Sequence, residues 1–224
     1  MDWTKEKAIV TGGSTGIGRA LVEALAARGA RVAWCSRKGG DGGITCDVAD
    51  ETQVARFADA ARAALGGAPT LVVNNAGIAR WGAVAEMAVA DWDAVLNTNV
   101  RGMFLVTRAF LPGMLAAGYG AVVNVASLAG KNAIARGAAY AASKHAVLGF
   151  SKSLMLEVRQ HGVRVLAICP GSVDTPIFDD EQTPFDVQRD RIMQPADIAQ
   201  IILDALALPP RAMVSELDIR PSRP

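Results

Sequence analysis

The sequence predicts an α/β fold, a doubly wound parallel sheet of about seven strands lying between two helical layers. Three observations predict it. Short β-branched runs alternate with long alanine-rich stretches from end to end. Hydrophobic residues make up 51% of the chain but aromatics only 5%, so Ala, Val, Leu and Ile must build the core, as in a sheet buried on both faces. A glycine-rich turn, Thr11 to Gly18, stands between the first strand and the first helix.

Taken in order, strands are expected near 7–11, 31–35, 43–46, 70–74, 120–126, 163–168 and 213–219. Helices are expected over roughly 17–28, 51–65, 91–116, 138–161 and 195–207, with Asp50, Asp91 and Pro195 as start signals for three of them. One stretch breaks the pattern. Between the second and third strands lies only Ser36-Arg-Lys-Gly-Gly-Asp-Gly-Gly43, whose four glycines in eight positions exclude a stable helix. A parallel crossover normally takes a dozen or more residues, usually a helix. Either the third strand is short and offset or a bare loop makes the crossing, and the helix between strands 2 and 3 is expected to be missing.

The 224 residues suffice for one sizeable core, and no linker, repeat or low-complexity segment divides them, so one domain is expected over 1–224. A net charge of +1 provides no long-range field for nucleic acid or an acidic membrane. No apolar stretch is expected to span a membrane, and the start Met-Asp-Trp-Thr-Lys-Glu-Lys has no apolar core of a signal peptide. Cys35, Cys46 and Cys169 lack Cys-x-x-Cys spacing and read as small buried hydrophobes. A cytoplasmic protein is expected. His145 and His161 join no ligand cluster, so no metal is expected.

Tyr140 and Lys144 lie one helical turn apart in Ala-Tyr-Ala-Ala-Ser-Lys, and Ser127 ends a strand thirteen residues before Tyr140. An ammonium beside a phenol favours the phenolate, lowering a pKa of about 10 toward neutrality. A hydroxyl at a strand's carboxyl end can hold a carbonyl oxygen. Gly12, Gly16 and Gly18, with Ile17 between, let backbone approach a pyrophosphate at a helix N-terminus, where Ser14 and Thr15 can add hydroxyl donors. A dinucleotide site and a Tyr/Ser pair belong to one activity, hydride transfer to or from a carbonyl. Ser36 stands at the end of the second strand, where NAD-specific sites carry a carboxylate. Arg37 and Lys38 follow it and can pair a 2′-phosphate, so NADP(H) is expected over NAD(H). Ala76 and Gly77 allow close approach to a ribose, while Asn74 reads equally as a bracket between strands or a cofactor contact. Residues 176–194 resemble a mobile lid, and Trp81, Ile134, Ile177 and Phe178 are candidates for an apolar pocket wall or for core.

In Thr11–Gly18, Asn74–Gly77, Asn99, Ser127, Tyr140 with Lys144, and Pro170-Gly171, all in register, the chain resembles the short-chain dehydrogenase/reductase family almost end to end. That resemblance implies a Rossmann-like domain catalysing NADP(H)-dependent interconversion of a carbonyl and a secondary alcohol, with Asn99, Ser127, Tyr140 and Lys144 catalytic. It implies adenine contacts from Asp47 and the Val48 N–H, further coenzyme contacts from Asn75, and nicotinamide contacts from Pro170, Gly171, Val173 and Thr175. Lys144 should also hold the nicotinamide ribose. Asn99 should lie in a helix irregularity whose carbonyl holds a water linked to the lysine, although Asn97 nearby leaves a plain helix-face role open. Thr15 replaces a second basic residue common in NADP-preferring relatives. The helices over 91–116 and 138–161 carry apolar residues on several faces, and in the resembled family they form the main interface, so a homotetramer or dimer is expected. The narrower rival is a 3-oxoacyl-[acyl-carrier-protein] reductase, with Lys131 and Arg136 attracting the acidic carrier. A non-enzymatic NADP sensor would be expected to lose Ser127, Tyr140 or Lys144, all of which are present.

Overall fold

The computed structural model describes residues 2–180, 183–209 and 211–222. Its strands are β1 Lys7–Thr11, β2 Arg31–Ser36, β3 Ile44–Thr45, β4 Leu71–Asn74, β5 Gly120–Val125, β6 Val163–Pro170 and β7 Glu216–Ile219. Its α-helices are α1 Gly16–Ala27, α2 Glu51–Leu65, α3 Val89–Leu96, α4 Met103–Ala117, α5 Ala138–Val158 and α6 Pro195–Ala207. The strands form one parallel sheet in the order β3-β2-β1-β4-β5-β6-β7.

Alternate strand residues point to opposite faces, which sorts the core into two layers. Ala8 and Val10 pack with Leu21, Leu25, Ile198 and Ile202 of α1 and α6. Ile9 between them packs with Phe57, Leu65, Phe110 and Met114 of α2 and α4, joined by Leu154 and Val158 of α5. Each of these buried side chains other than Ala8 contributes about 1.5–3 kcal/mol. The chain order reverses beside β1, and the carboxyl ends of β1 and β4 diverge there into a crevice.

The crossover from β2 to β3 has no helix, and both expected features occur together. β3 is two residues long, and a loop makes the crossing with positive φ at Gly39, Gly40, Asp41 and Gly42. Trp34 on β2 fills space on the α1 face of this edge, buried among the residues of α1 and α6. A Cβ on Gly13 would sit 2.8 Å, and one on Gly43 2.3 Å, from Trp34 side-chain atoms. Both glycines are therefore required by the indole between them.

Asp50 caps α2 by accepting from the Thr52 and Gln53 amides, and Pro195 opens α6, as expected. Asp91 differs. The cap position of α3 is Ala88, and Asp91 sits in the first turn, where its carboxylate suits the helix N-terminus and pairs with Arg80 at 3.4 Å. The single helix expected over 91–116 is divided by a π turn at Asn97–Gly102. The combined run Val89–Ala117 is also long and apolar enough, by length and composition, to cross a membrane, against expectation; 39% of its most apolar window is buried. In the structure Val106, Phe110 and Met114 of that run cover the sheet.

Candidate active site

The turn after β1 is shaped by what its glycines lack. Gly12 and Gly16 have positive φ, and a Cβ on Gly18 would stand 2.1 Å from the Gly12 carbonyl oxygen. The turn is braced from β4. The Thr11 hydroxyl accepts from the Asn75 and Ala76 amides at 3.0 and 3.1 Å, and Asn75 Nδ2 donates to the Thr11 and Gly12 carbonyls at 3.0 and 3.2 Å. The Asn75 side chain thus holds the turn itself. Asn74 brackets neighbouring elements with its Nδ2, which donates to Thr107 at 2.9 Å and to Asn124 at 2.8 Å, while its Oδ1 is buried with no partner among the described residues.

The π turn bulges because six residues of α3–α4 must present Asn99 inward. Asn99 is 3% exposed, accepts from the Ile78 amide, and donates to the Ile78 carbonyl and to Ser143 Oγ. Ser143 in turn donates to the Tyr140 carbonyl at 2.7 Å, so Asn99 is fastened to the helix carrying Tyr140. Sequence reasoning missed Ser143. Its signal was a polar residue on the buried face of α5, between Tyr140 and Lys144.

Ser127 caps the short turn after β5, accepting from the Ala129 amide, and its hydroxyl donates to the Pro170 carbonyl at 3.4 Å while lying close enough to Tyr140 to favour the phenolate. Lys144 is buried, donates from Nζ to the Val125 carbonyl at 2.8 Å, and stands over the Tyr140 ring 5.6 Å from its centroid. Its ammonium therefore faces the ring and a carbonyl, away from a direct bond to the phenol. That corrects one expectation. Desolvation raises the Tyr140 pKa above its ordinary value, the Ser127 hydroxyl only partly opposing it, and Lys144 does not depress it. Desolvation instead pushes Lys144 down to about 8. The cluster meets the glycine turn through the end of β4: Asn75 and Ala76 hold Thr11, and a Cβ on Gly77 would stand 3.7 Å from Lys144 Nζ.

At the far edge, Arg37 and Lys38 are exposed, and the Ser36 hydroxyl donates to the Gly39 carbonyl at 3.3 Å. Asp47 accepts from the Ala49 amide, and Val48 packs on Gly102, where a Cβ would meet it at 2.7 Å. Gly171 donates its amide to Ile219, and Val173 is bridged to Met193. Thr175 lies against the glycine turn, its Cγ2 3.0 Å from where a Gly16 Cβ would be.

Of the stretch 176–194, Glu181 and Gln182 lie outside the described residues. Two of its rings are linked to Tyr140 through Trp81. Phe178 meets Phe185 at 6.1 Å, Phe185 meets Trp81 at 5.6 Å, and Trp81 meets Tyr140 at 5.6 Å between ring centroids. Arg189 ties the stretch down by pairing with Asp174 and Asp179, a link between distant residues that no local pattern announces. Ile134 packs on Gly137 beside Trp81, whereas His145 lies exposed on α5 with Nδ1 against the Ala141 carbonyl.

The family described as short chain dehydrogenase matches residues 6–184. The chain is 40% identical over 190 residues to a granaticin polyketide synthase putative ketoacyl reductase of Streptomyces violaceoruber, covering 77% of this chain and 70% of that one. It is 42% identical over 185 residues to D-threitol dehydrogenase of Mycolicibacterium smegmatis, covering 76% and 71%. A variant of actinorhodin polyketide ketoreductase with NADPH superposes with a TM-score of 0.88 at 32% identity, over 98% of this chain and 97% of that one.

The buried lysine has a measurable cost. Lys144 binds its proton with a pKa of about 8 in the fold and about 10.5 in the unfolded chain. Between those values the unfolded state holds more protons, so this group's penalty is full below about pH 8 and fades as the pH rises to about 10.5. Lys144→Met keeps the apolar stem and removes the ammonium. Allowing for the lost Val125 bond, it should stabilise the coenzyme-free protein at pH 7 by about 1–3 kcal/mol. The gain should shrink toward pH 10. Thermal melts of both proteins at the two pH values check this; a lower melting point for the variant at pH 7 contradicts it.

Proposed function

Because the chain belongs to the short-chain dehydrogenase/reductase family, we propose that this oxidoreductase interconverts a carbonyl and a secondary alcohol, with Tyr140 as general acid and base and NADP(H) preferred over NAD(H). The observation that carries this reading is the convergence of Ser127, Tyr140 and Lys144 at the carboxyl edge of the sheet, joined to the glycine turn through Asn75, Ala76 and Gly77.

The chain's residues fit a dinucleotide. The turn from Gly12 to Gly18 leaves backbone bare at the N-terminus of α1, where a Cβ at Gly12 or Gly16 would fill space against Ala76 or Thr175. There Gly12, Ser14, Thr15, Gly16, Ile17 and Gly18 would hold the pyrophosphate. Asp47, Val48, Asn75, Ala76 and Gly77 would border the adenosine and ribose, Lys144 would hold the second ribose, and Pro170, Gly171, Val173 and Thr175 would cover the nicotinamide. The bound coenzyme supplies or accepts the hydride.

In reduction, Tyr140 donates its proton to the carbonyl oxygen; in oxidation it takes that proton back. A phenol held protonated by burial is the correct form of the acid at neutral pH. The Ser127 hydroxyl donates to the same oxygen and stabilises its developing charge. Lys144, with a pKa of about 8, exchanges protons readily near neutrality and places its charge beside Tyr140. Asn99 acts by position, since its side chain is committed to Ile78 and Ser143 and leaves its main chain for any proton relay.

A second reading, 3-oxoacyl-[acyl-carrier-protein] reductase, draws support from the ketoacyl reductases among the relatives. Lys131 does not strengthen it, being engaged by Glu216 and Asp218. A cytoplasmic setting accords with three unpaired, buried thiols. A homotetramer or dimer accords with apolar side chains left exposed on α4 and α5, Phe104, Leu115 and Leu156. Light scattering at micromolar concentration should give a multiple of 23.4 kDa, and a monomer mass rejects the assembly.

Tyr140→Phe should lower kcat by about 10²–10⁴-fold while coenzyme affinity stays within about threefold. Turnover near wild type would remove Tyr140 from the mechanism. For coenzyme choice, Arg37 is exposed at the end of β2 with no carboxylate at Ser36. A charge-assisted bond to phosphate is worth about 1.5–3 kcal/mol, so NADPH should exceed NADH by about 10–100-fold in kcat/KM. The lower end is expected, because the 39–43 loop must order around the phosphate. Arg37→Ala should collapse the ratio; steady-state kinetics with both coenzymes that leave it unchanged dismiss Arg37 as the phosphate partner.

A further inference from the structure

Trp81 is a side chain at this site that the reaction leaves unexplained. It is 5% exposed, yet its indole Nε1 has no hydrogen-bond partner among the described residues. A donor cut off from water and from any protein acceptor is destabilising, and folded proteins keep few of them. Packing alone does not require it, because a phenylalanine would make similar ring contacts with Tyr140 and Phe185 without a stranded N–H. The indole is also held in place. A Cβ on Gly137 would come within 3.0 Å of Trp81 Cζ3, and the neighbouring Gly82 amide is fastened to the Arg136 carbonyl at 2.8 Å. A rigid, unpartnered donor thus stands between Tyr140 and the stretch carrying Phe185.

We propose that Trp81 is a specificity-determining residue whose indole N–H donates a second hydrogen bond to the substrate, apart from the bonds that Ser127 and Tyr140 make to the reacting oxygen. The preferred substrates are then carbonyl compounds with a flat apolar body and a second, uncharged acceptor close to the reacting carbonyl. The flat body follows from a wall of three rings, Trp81, Phe178 and Phe185, beside Tyr140. The uncharged acceptor follows from the neutrality of the donor, whose sequence neighbour Arg80 is paired with Asp91. This inference rests on the assignment of Tyr140 as the acid that meets the carbonyl.

Two aryl ketones of similar size test it: ethyl benzoylacetate, with an ester carbonyl near the ketone, and hexanophenone, without one. The ester compound is intrinsically more electrophilic, so the quantity read is how Trp81→Phe changes the ratio of the two kcat/KM values with NADPH. The variant's loss on ethyl benzoylacetate should exceed its loss on hexanophenone by about 10–100-fold, the usual consequence of leaving a polar group in a site without its partner. Equal losses, or no loss on the ester compound, overturn the proposal and leave Trp81 a packing residue. Calorimetric binding of both ketones to the NADP+-loaded wild type, where no hydride is available, needs no variant and no turnover. The ester compound should bind at least about tenfold more tightly, and equal binding or none overturns the proposal. Tighter ester binding without reduction of either ketone by the NADPH-loaded enzyme would count against the reaction assigned to Tyr140 while sustaining the role of Trp81.

Discussion

The first helix can begin where it does only because Gly18 has no side chain. Any Cβ there would lie 2.1 Å from the Gly12 carbonyl oxygen, far inside contact distance. With that approach allowed, α1 presses its N-terminus against the turn after β1, and its free amides face the crevice where the strand order reverses. Thr11 and Asn75 then lock the turn to the end of β4, so phosphate-facing backbone and carbonyl-facing side chains are held in one frame. A methyl group at one position would separate them.

Around that frame the molecule retains several groups that stability alone would not select. Lys144 is an ammonium in a buried place, Trp81 carries a stranded donor, and Asn99 requires a π turn in an otherwise regular helical run. The three lie on neighbouring walls of one site, Asn99 and Lys144 linked through Ser143 and Tyr140 on α5. Such a concentration is what a reacting centre produces: polar atoms kept dry so that they act strongly on a ligand. The rest of the core, by contrast, is largely aliphatic on both faces of the sheet.

The β2–β3 edge shows a different economy. Where a crossover helix would ordinarily cover the sheet, one indole does so, with glycines on either side to admit it. The consequence reaches function, because the same loop brings Arg37 and Lys38 to the surface without a helix to fix them. On the proposed coenzyme reading, recognition at this end would then depend on a short glycine loop.

Much of this was legible in the residues. Strand and helix positions follow from periods of about two and 3.6 residues, which are local properties. Asp50 and Pro195 acted as helix starts for equally local reasons, and the absent helix was visible in Gly39, Gly40, Gly42 and Gly43. Periodicity ran one helix through the π turn, and only the resemblance placed an irregularity at Asn99, since the need to turn Asn99 toward Ile78 and Ser143 is what makes the break worthwhile. Asp91 looked like a cap because its type suits one, but the helix began earlier than its sequence position suggested. By itself, then, the sequence determined the layers, the strand connections and the set of chemical groups at the sheet edge. Tertiary structure alone decided that the Tyr140 pKa is raised rather than lowered, that Lys144 faces a carbonyl and a ring, that Arg189 fastens the stretch after β6, and that the Trp81 N–H has no partner among the described residues. Desolvation and pairing depend on every neighbour in space, and those neighbours come from parts of the chain with no local relation to one another.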